Sequence, residues 1–149
     1  MVRKTDPLVR QLEEDAVHYY LPPSNLITSL LFVDCEEAYL RKFQQDFYGK
    51  MFVYGNRETR CPVVIRDAEM RIFILVTSSG EEGLTYLGDD RPEYHQGDRV
   101  RVTAGPFQGA EGHIKRIKKD RRLIISLQGV VAVATTYIHP DLLEKVEEN

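Results

Sequence analysis

Residues Gly97–Leu127 read GDRVRVTAGPFQGAEGHIKRIKKDRRLIISL. Three glycines, Gly105, Gly109 and Gly112, stand between a segment of alternating valines and a strongly basic one. Glycine is the residue a chain uses where the backbone needs positive φ or must pass close to another strand. Val100 and Val102 fall on one strand face, and Arg99 and Arg101 fall on the other. Lys115, Arg116, Lys118, Lys119, Arg121 and Arg122 then gather six cations around a turn. The pattern predicts a small, strongly bent barrel with one charged rim facing outward.

The sequence on either side extends the same reading. From Tyr94 onward short strands are expected at Asp98–Thr103, Gly112–Lys118, Arg122–Leu127 and Val130–Thr135. Asp120 and the Gln128-Gly129 pair supply the turns, with Gly129 at a hairpin position that needs positive φ. His139-Pro140-Asp141 starts one helical turn, after which Leu142, Leu143 and Val146 close the barrel end. A barrel of about 55 residues is near the lower limit for independent folding.

Ahead of it the pattern turns to mixed helix and strand. Asp6-Pro7 offers an N-cap acceptor followed by a proline at the first helical position. Leu8, Leu12 and Ala16 then give one apolar stripe to about His18, and Pro22-Pro23 stops it. Asn25–Cys35, NLITSLLFVDC, is apolar and of strand length, which predicts a central strand. A second helix is expected from about Glu36 to Phe47, closed by Gly49. Met51–Tyr54 reads as a short strand and Cys61–Ile65 as an extended segment. A third helix is expected over Ala68–Thr77, capped by Asp67 and facing the core through Met70, Ile74 and Leu75. Residues 78–92 are rich in turn formers and read as a linker. The fold class is therefore α+β, with a front domain over residues 1–89 and a barrel over 93–149.

Composition narrows the function. The chain has 149 residues, 42% hydrophobic and 29% charged, the balance of a globular protein rather than a disordered one. No apolar run approaches the roughly 20 residues of a membrane-spanning helix. MVRKTDPLVRQLEED is charged throughout and lacks the apolar core of a secretion signal, so a cytoplasmic location is the default expectation and no membrane partner is expected. Net charge is −3 but uneven. Residues 97–122 carry eight Lys or Arg against three Asp or Glu, whereas residues 1–96 carry eleven against sixteen. Only the rear module has a charge that favours phosphates. Cys35 and Cys61 form neither a disulfide framework nor a zinc knuckle, and both read as reduced, half-buried thiols. The four histidines have no metal-ligand spacing, and no nucleophile–base pattern or phosphate loop is present. No enzyme activity, no metal and no cofactor are expected.

Gly97-Asp98, Val100, Val102, Gly105-Pro106-Phe107, Gly109, Gly112 and Ile114, in that order and spacing, resemble the KOW motif of NusG-type transcription factors and some ribosomal proteins. The order of elements ahead of it is similar to the NusG N-terminal (NGN) domain. Leu30-Leu31-Phe32-Val33, Phe52-Val53-Tyr54 and Pro62-Val63-Val64-Ile65 followed by Glu69-Met70 carry that likeness. The ending GVVAVATTYIHPDLLEKV is similar to the UpxY/LoaP-type antiterminators. The family's opening Trp-Tyr strand has no counterpart, so the front domain is expected to lack its first strand, first helix and part of its second strand. A sheet shortened in this way has a bare edge that favours pairing with another chain.

The resemblance implies transcription elongation or antitermination through RNA polymerase. The family's apolar pocket for polymerase maps to Leu30, Phe32, Phe52 and Tyr54, although core packing explains the same residues. In the barrel, Phe107 on the turn with Gly105, Pro106 and Gly109 is either an exposed anchor for a ribosomal protein, Rho or RNA, or a plug of the barrel end. Lys115, Arg116, Lys118, Lys119, Arg121 and Arg122 either contact phosphates or keep an edge soluble. The rival expectation is a KOW-type RNA-binding or ribosome-associated protein without polymerase binding.

Overall fold

The computed structural model describes residues 2–56, 58–127 and 129–147 and divides into two compact units, Met1–Pro62 and Val63–Asn149. In the first, α1 (Pro7–Glu14) begins as expected, with the Asp6 carboxylate accepting the Leu8 N–H at 3.2 Å. It ends short of His18 because Ala16 takes the left-handed conformation at φ 55° and redirects the chain into β1 (His18–Tyr20). β2 (Phe32–Asp34) pairs with β1 in antiparallel register, Tyr20 opposite Phe32 and Tyr19 opposite Val33. The expected 25–35 strand is thus only three residues long. Leu26 and Ile27 both donate to the Pro23 carbonyl, so the first part of the apolar run curls into a turn that buries Ile27.

α2 (Glu37–Asp46) follows, with Gly49 beyond its end at φ 80°. Leu8, Leu12 and Phe43 form the core of this unit, covered by Val33 of β2, by Leu31 just before it, and by Tyr39, Phe47 and Met51. The Phe43 ring lies 5.9 Å from Tyr39 and 4.8 Å from Phe47. Burial, and then a hydrogen bond donated to the Asp15 carboxylate, push the Tyr39 phenol up to about 12. Met51–Tyr54, expected as a strand, belongs to no sheet; the nearest pairing is the single bridge Gly55–Pro62. Of the two thiols, Cys35 is half-buried and Cys61 is exposed.

In the second unit α3 (Asp67–Thr77) buries Phe73, Val76 and Thr77. That stripe differs from the expected Met70, Ile74 and Leu75, and Leu75 is 37% exposed. The chain then makes β3 (Thr85–Gly88), a 3-10 turn over Pro92–His95, β4 (Arg99–Val102), β5 (Glu111–Ile117), β6 (Asp120–Leu127), β7 (Val131–Tyr137), a 3-10 turn over Pro140–Leu142, and β8 (Leu143–Lys145). The strands form one antiparallel sheet in the order β3-β7-β6-β5-β4-β8, consistent with a small barrel-like domain.

The 78–92 segment, expected as a linker, contributes β3 to this sheet, so the unit starts well before residue 93. Asp90 belongs to it too, its carboxylate accepting the Gly129 N–H at 3.0 Å. Gly83, Gly88 and the neighbouring acids look like loop, and only pairing with β7 makes a strand of the residues between them. β8 was also read as closing aliphatics rather than as a strand. Gly129 has φ 81° as expected, whereas its turn neighbour Gln128 lies outside the described residues.

One side of the sheet packs Val100, Val102, Phe107, Ala110, Leu123 and Ile125 together with Val76 and Ile72 of α3. The other side packs Ile124, Ala132 and Ala134 with Leu87, Tyr94 and Ile117. β6 is therefore apolar on both faces, as a strand covered on each side must be. A bulge between Arg122 and Ile124 breaks its register with β7, and there the Thr135 hydroxyl accepts the Leu123 N–H at 3.3 Å. A buried donor that the bulge would strand is thereby satisfied.

Candidate nucleic-acid interface

The β5–β6 hairpin gathers the six cations noted in the sequence, and it divides them. Lys115 lies opposite Arg122, and Arg116 opposite Arg121, with Ile117 paired to Asp120 around the turn. Directly opposed like charges repel, so each cation needs either a counter-charge or open water. Lys115 takes the first course: its Nζ sits 5.4 Å from the Tyr94 ring centroid and 3.8 Å from the Glu93 carboxylate. Arg122 donates from Nη1 to the Thr85 hydroxyl at 3.2 Å and is half-buried. Both side chains tie β5 and β6 to the segments around them.

Arg116, Lys118, Lys119 and Arg121 take the second. All four are exposed and make no ion pair or hydrogen bond through their side chains among the described residues. Asp120 stands among them as the one acid of the tip. Lys118 also has φ 59°, a left-handed position that glycine or asparagine occupies more cheaply. A lysine there costs on the order of 1 kcal/mol. Four uncompensated cations on an exposed two-strand tip, one held at a conformational cost, make a surface suited to polyanions.

Phe107 is not part of such a surface. It is 5% exposed and belongs to the barrel core, as the plug reading has it and the exposed-anchor reading does not. Gly105 and Gly109, at φ 89° and 93°, curl the loop so that Gln108 N–H reaches the Gly105 carbonyl and Gly109 N–H reaches that of Val102. This double reversal turns Phe107 and Ala110 inward, while Gly105, Pro106 and Gly109 stay on the surface. Gly112 acts differently: a Cβ there would fall within contact of the Ile124 carbonyl oxygen, so its bare backbone lets β5 lie close to β6.

An ion-pair seam fixes the adjoining strands. Arg101 on β4 donates to Glu111 on β5 at 2.6 Å and to Glu144 on β8 at 2.8 Å, and Arg99 adds a contact to Glu111 at 3.3 Å. Burial pulls the Glu111 carboxyl upward, but the hydrogen bonds and charges of Arg101 and Arg99 outweigh it and leave it below its ordinary value. The cations of β4 are thus neutralised within the sheet and unavailable to a polyanion.

The same unit has a shallow cleft of about 70 Å³ lined by Glu69, His95, Arg99, Glu111, His113 and Ser126. Its polar groups hold structure together. His95 Nε2 lies 2.8 Å from Asp90 Oδ2 and 3.4 Å from Ser126 Oγ. Asp90 and Ser126 thus meet the same ring nitrogen, whereas a Ser-His-Asp relay needs them on opposite nitrogens. His113 Nδ1 is 3.1 Å from the Gly97 carbonyl. Among the described residues no three His, Cys, Asp or Glu are grouped to hold a metal ion, and no helix is long and apolar enough to cross a membrane.

In the first unit the four residues expected to grip polymerase differ in exposure. Leu30 is 8% exposed and precedes β2 instead of lying in it. Phe32 is half-buried beside Tyr20, with ring centroids 6.4 Å apart. Phe52 and Tyr54 lie in the segment that joins no sheet, 92% and 43% exposed. Tyr48, 88% exposed and just before them, was missed, since its place beyond the end of α2 gave no periodic signal.

Residues 96–126 match the KOW motif, which spans β4, β5 and β6 up to Ser126. The match fits a NusG-like KOW domain and points to a nucleic-acid- or ribosome-associated role. No curated protein and no solved structure matches the chain.

Proposed function

We propose that this protein is a non-catalytic accessory factor of transcription, of NusG type, whose KOW domain contacts single-stranded nucleic acid through Arg116, Lys118, Lys119 and Arg121. The observation that carries the reading is the coincidence of a KOW motif with a hairpin tip whose four cations make no ion pair among the described residues. On β4 and β5, Arg99, Arg101 and Lys115 are paired with carboxylates. Four like charges gathered on one exposed turn raise the local potential in a way that scattered surface charges do not, and such a potential favours a polyanion. Point cations and guanidinium groups suit a phosphate backbone.

The NusG-type reading adds RNA polymerase as the protein partner of the first unit. Its support is the run of exposed aromatics Tyr48, Phe52 and Tyr54, close in sequence, since aromatic side chains are frequent anchors of protein interfaces. Leu30 is part of the protein's own interior and has no place in that contact. Pull-down of RNA polymerase by wild type, Phe52→Ala and Tyr54→Ala tests this arm; equal capture by all three, or none by wild type, refutes it. RNA binding by wild type against the four-cation variant tests the other. Binding of RNA without polymerase leaves the ribosome-associated alternative standing.

A further inference from the structure

Met51-Phe52-Val53-Tyr54 is four strand-forming residues in a row, yet it joins no sheet. Met51, Phe52 and Val53 make no backbone hydrogen bond among the described residues. Alternation is nonetheless complete. Met51 packs on the core of Leu8, Leu12 and Phe43 and Val53 is half-buried, while Lys50, Phe52 and Tyr54 are exposed. The segment alternates as a strand does, with one face already seated.

We infer that this segment pairs with the same segment of a second copy, forming an antiparallel homodimer centred on Val53. The hairpin at its end decides which edge is free. Asn56 N–H donates to the Cys61 carbonyl at 2.8 Å, and Gly55 bridges Pro62. Peptide groups alternate in direction along an extended chain, so the even-numbered residues turn theirs toward that limb. Met51, Val53 and Gly55 turn theirs away from it.

Two copies related by a two-fold axis normal to the sheet must pair residues of like parity, or one copy's core face would point to water. Centring on Val53 then sets Phe52 opposite Tyr54 of the second copy, twice, and Met51 opposite Gly55. Lys50 falls opposite Asn56, so no like charges face each other. Phe52 and Tyr54 occupy non-hydrogen-bonded positions, where side chains approach most closely. The four rings bring about 600–1,000 Å² of surface to the seam. That is the lower end for specific interfaces, so association belongs in the micromolar range. A polymerase contact at Phe52 and Tyr54 would compete with the dimer. The dimer itself does not depend on the proposed function.

Sedimentation of the full chain tests it, with expected conversion of monomer to dimer across micromolar to millimolar concentration and a monomer throughout for Phe52→Glu. Phe52 is 92% exposed, so this change leaves the fold intact, as circular dichroism will verify. Cysteine trapping tests the register. In a Cys35→Ser, Cys61→Ser background, Val53→Cys puts two thiols across a hydrogen-bonded pair with Cα atoms about 5.5 Å apart, within disulfide reach. Lys50→Cys puts them six positions out of register. With oxidised glutathione as electron acceptor, Val53→Cys is expected to yield covalent dimer and Lys50→Cys to remain monomeric. A wild-type monomer at every concentration, or equal trapping of the two variants, overturns the inference.

Discussion

Replacing Arg116, Lys118, Lys119 and Arg121 by glutamine, singly and together, separates phosphate binding from structural charge within one hairpin. Each phosphate contact to single-stranded nucleic acid contributes about 0.7 to the slope of log K against log salt. Four tip cations therefore give wild type a slope near −2.8, or about 50-fold weaker binding between 50 and 200 mM salt. Each single glutamine should flatten the slope by about 0.7, and the quadruple variant should bring it close to zero. Lys115→Gln and Arg122→Gln should leave it nearly unchanged, because those side chains are committed to Glu93, Tyr94 and Thr85. Lys118 sharpens the test. Lys118→Asn relieves the left-handed strain and should stabilise the domain by about 1 kcal/mol while weakening RNA binding. Fluorescence anisotropy of a labelled unstructured RNA from 50 to 400 mM salt, with chemical denaturation alongside, reads both effects. An unchanged slope in the quadruple variant, or equal losses from Lys115 and Arg122, refutes the assignment.

Three further outcomes follow from the core and the ion pairs. Phe107→Ala should destabilise the second unit by about 3–5 kcal/mol, because it empties a buried position; thermal denaturation with little change would return Phe107 to the surface. Gly112→Ala should cost about 2–3 kcal/mol in urea unfolding, since its methyl group meets a backbone carbonyl of the adjacent strand that cannot rotate away. Glu111, whose carboxyl is held below its ordinary 4.5, supplies stability above that pH and loses it as pH falls through the lower folded value. Glu111→Gln should accordingly flatten the acid side of a stability–pH curve below about pH 4.5 and leave its neutral region parallel to that of wild type; an unchanged acid limb would argue against the seam.

Where a residue's role depended on near neighbours in sequence, it could be read directly. The Asp6-Pro7 start of α1, the reversals at Gly105 and Gly109, and the alternation of Val100 and Val102 needed no distant partner. Leu31, just before β2, and Val33 within it also pack on the same core. Local patterns misled where long-range pairing decided the outcome. NLITSLLFVDC is apolar enough for a strand of eleven residues, but only the part that meets β1 becomes one. Residues 85–88 look like loop until β7 lies beside them. MFVY has every local mark of a strand and remains unpaired, because hydrogen bonds in a sheet come from another segment.

The candidate interface divides in the same way. Sequence alone determined that six cations gather at one turn behind a glycine-bent strand, because charge and glycine spacing are properties of the chain itself. Only the tertiary structure decided which of them are free. Glu93, Tyr94 and Thr85 reach Lys115 and Arg122 from outside the hairpin, and no spacing rule records those meetings. Folding also brought Phe107 out of solvent, since a turn closed by two left-handed glycines can point its central side chain inward when a core lies beneath it.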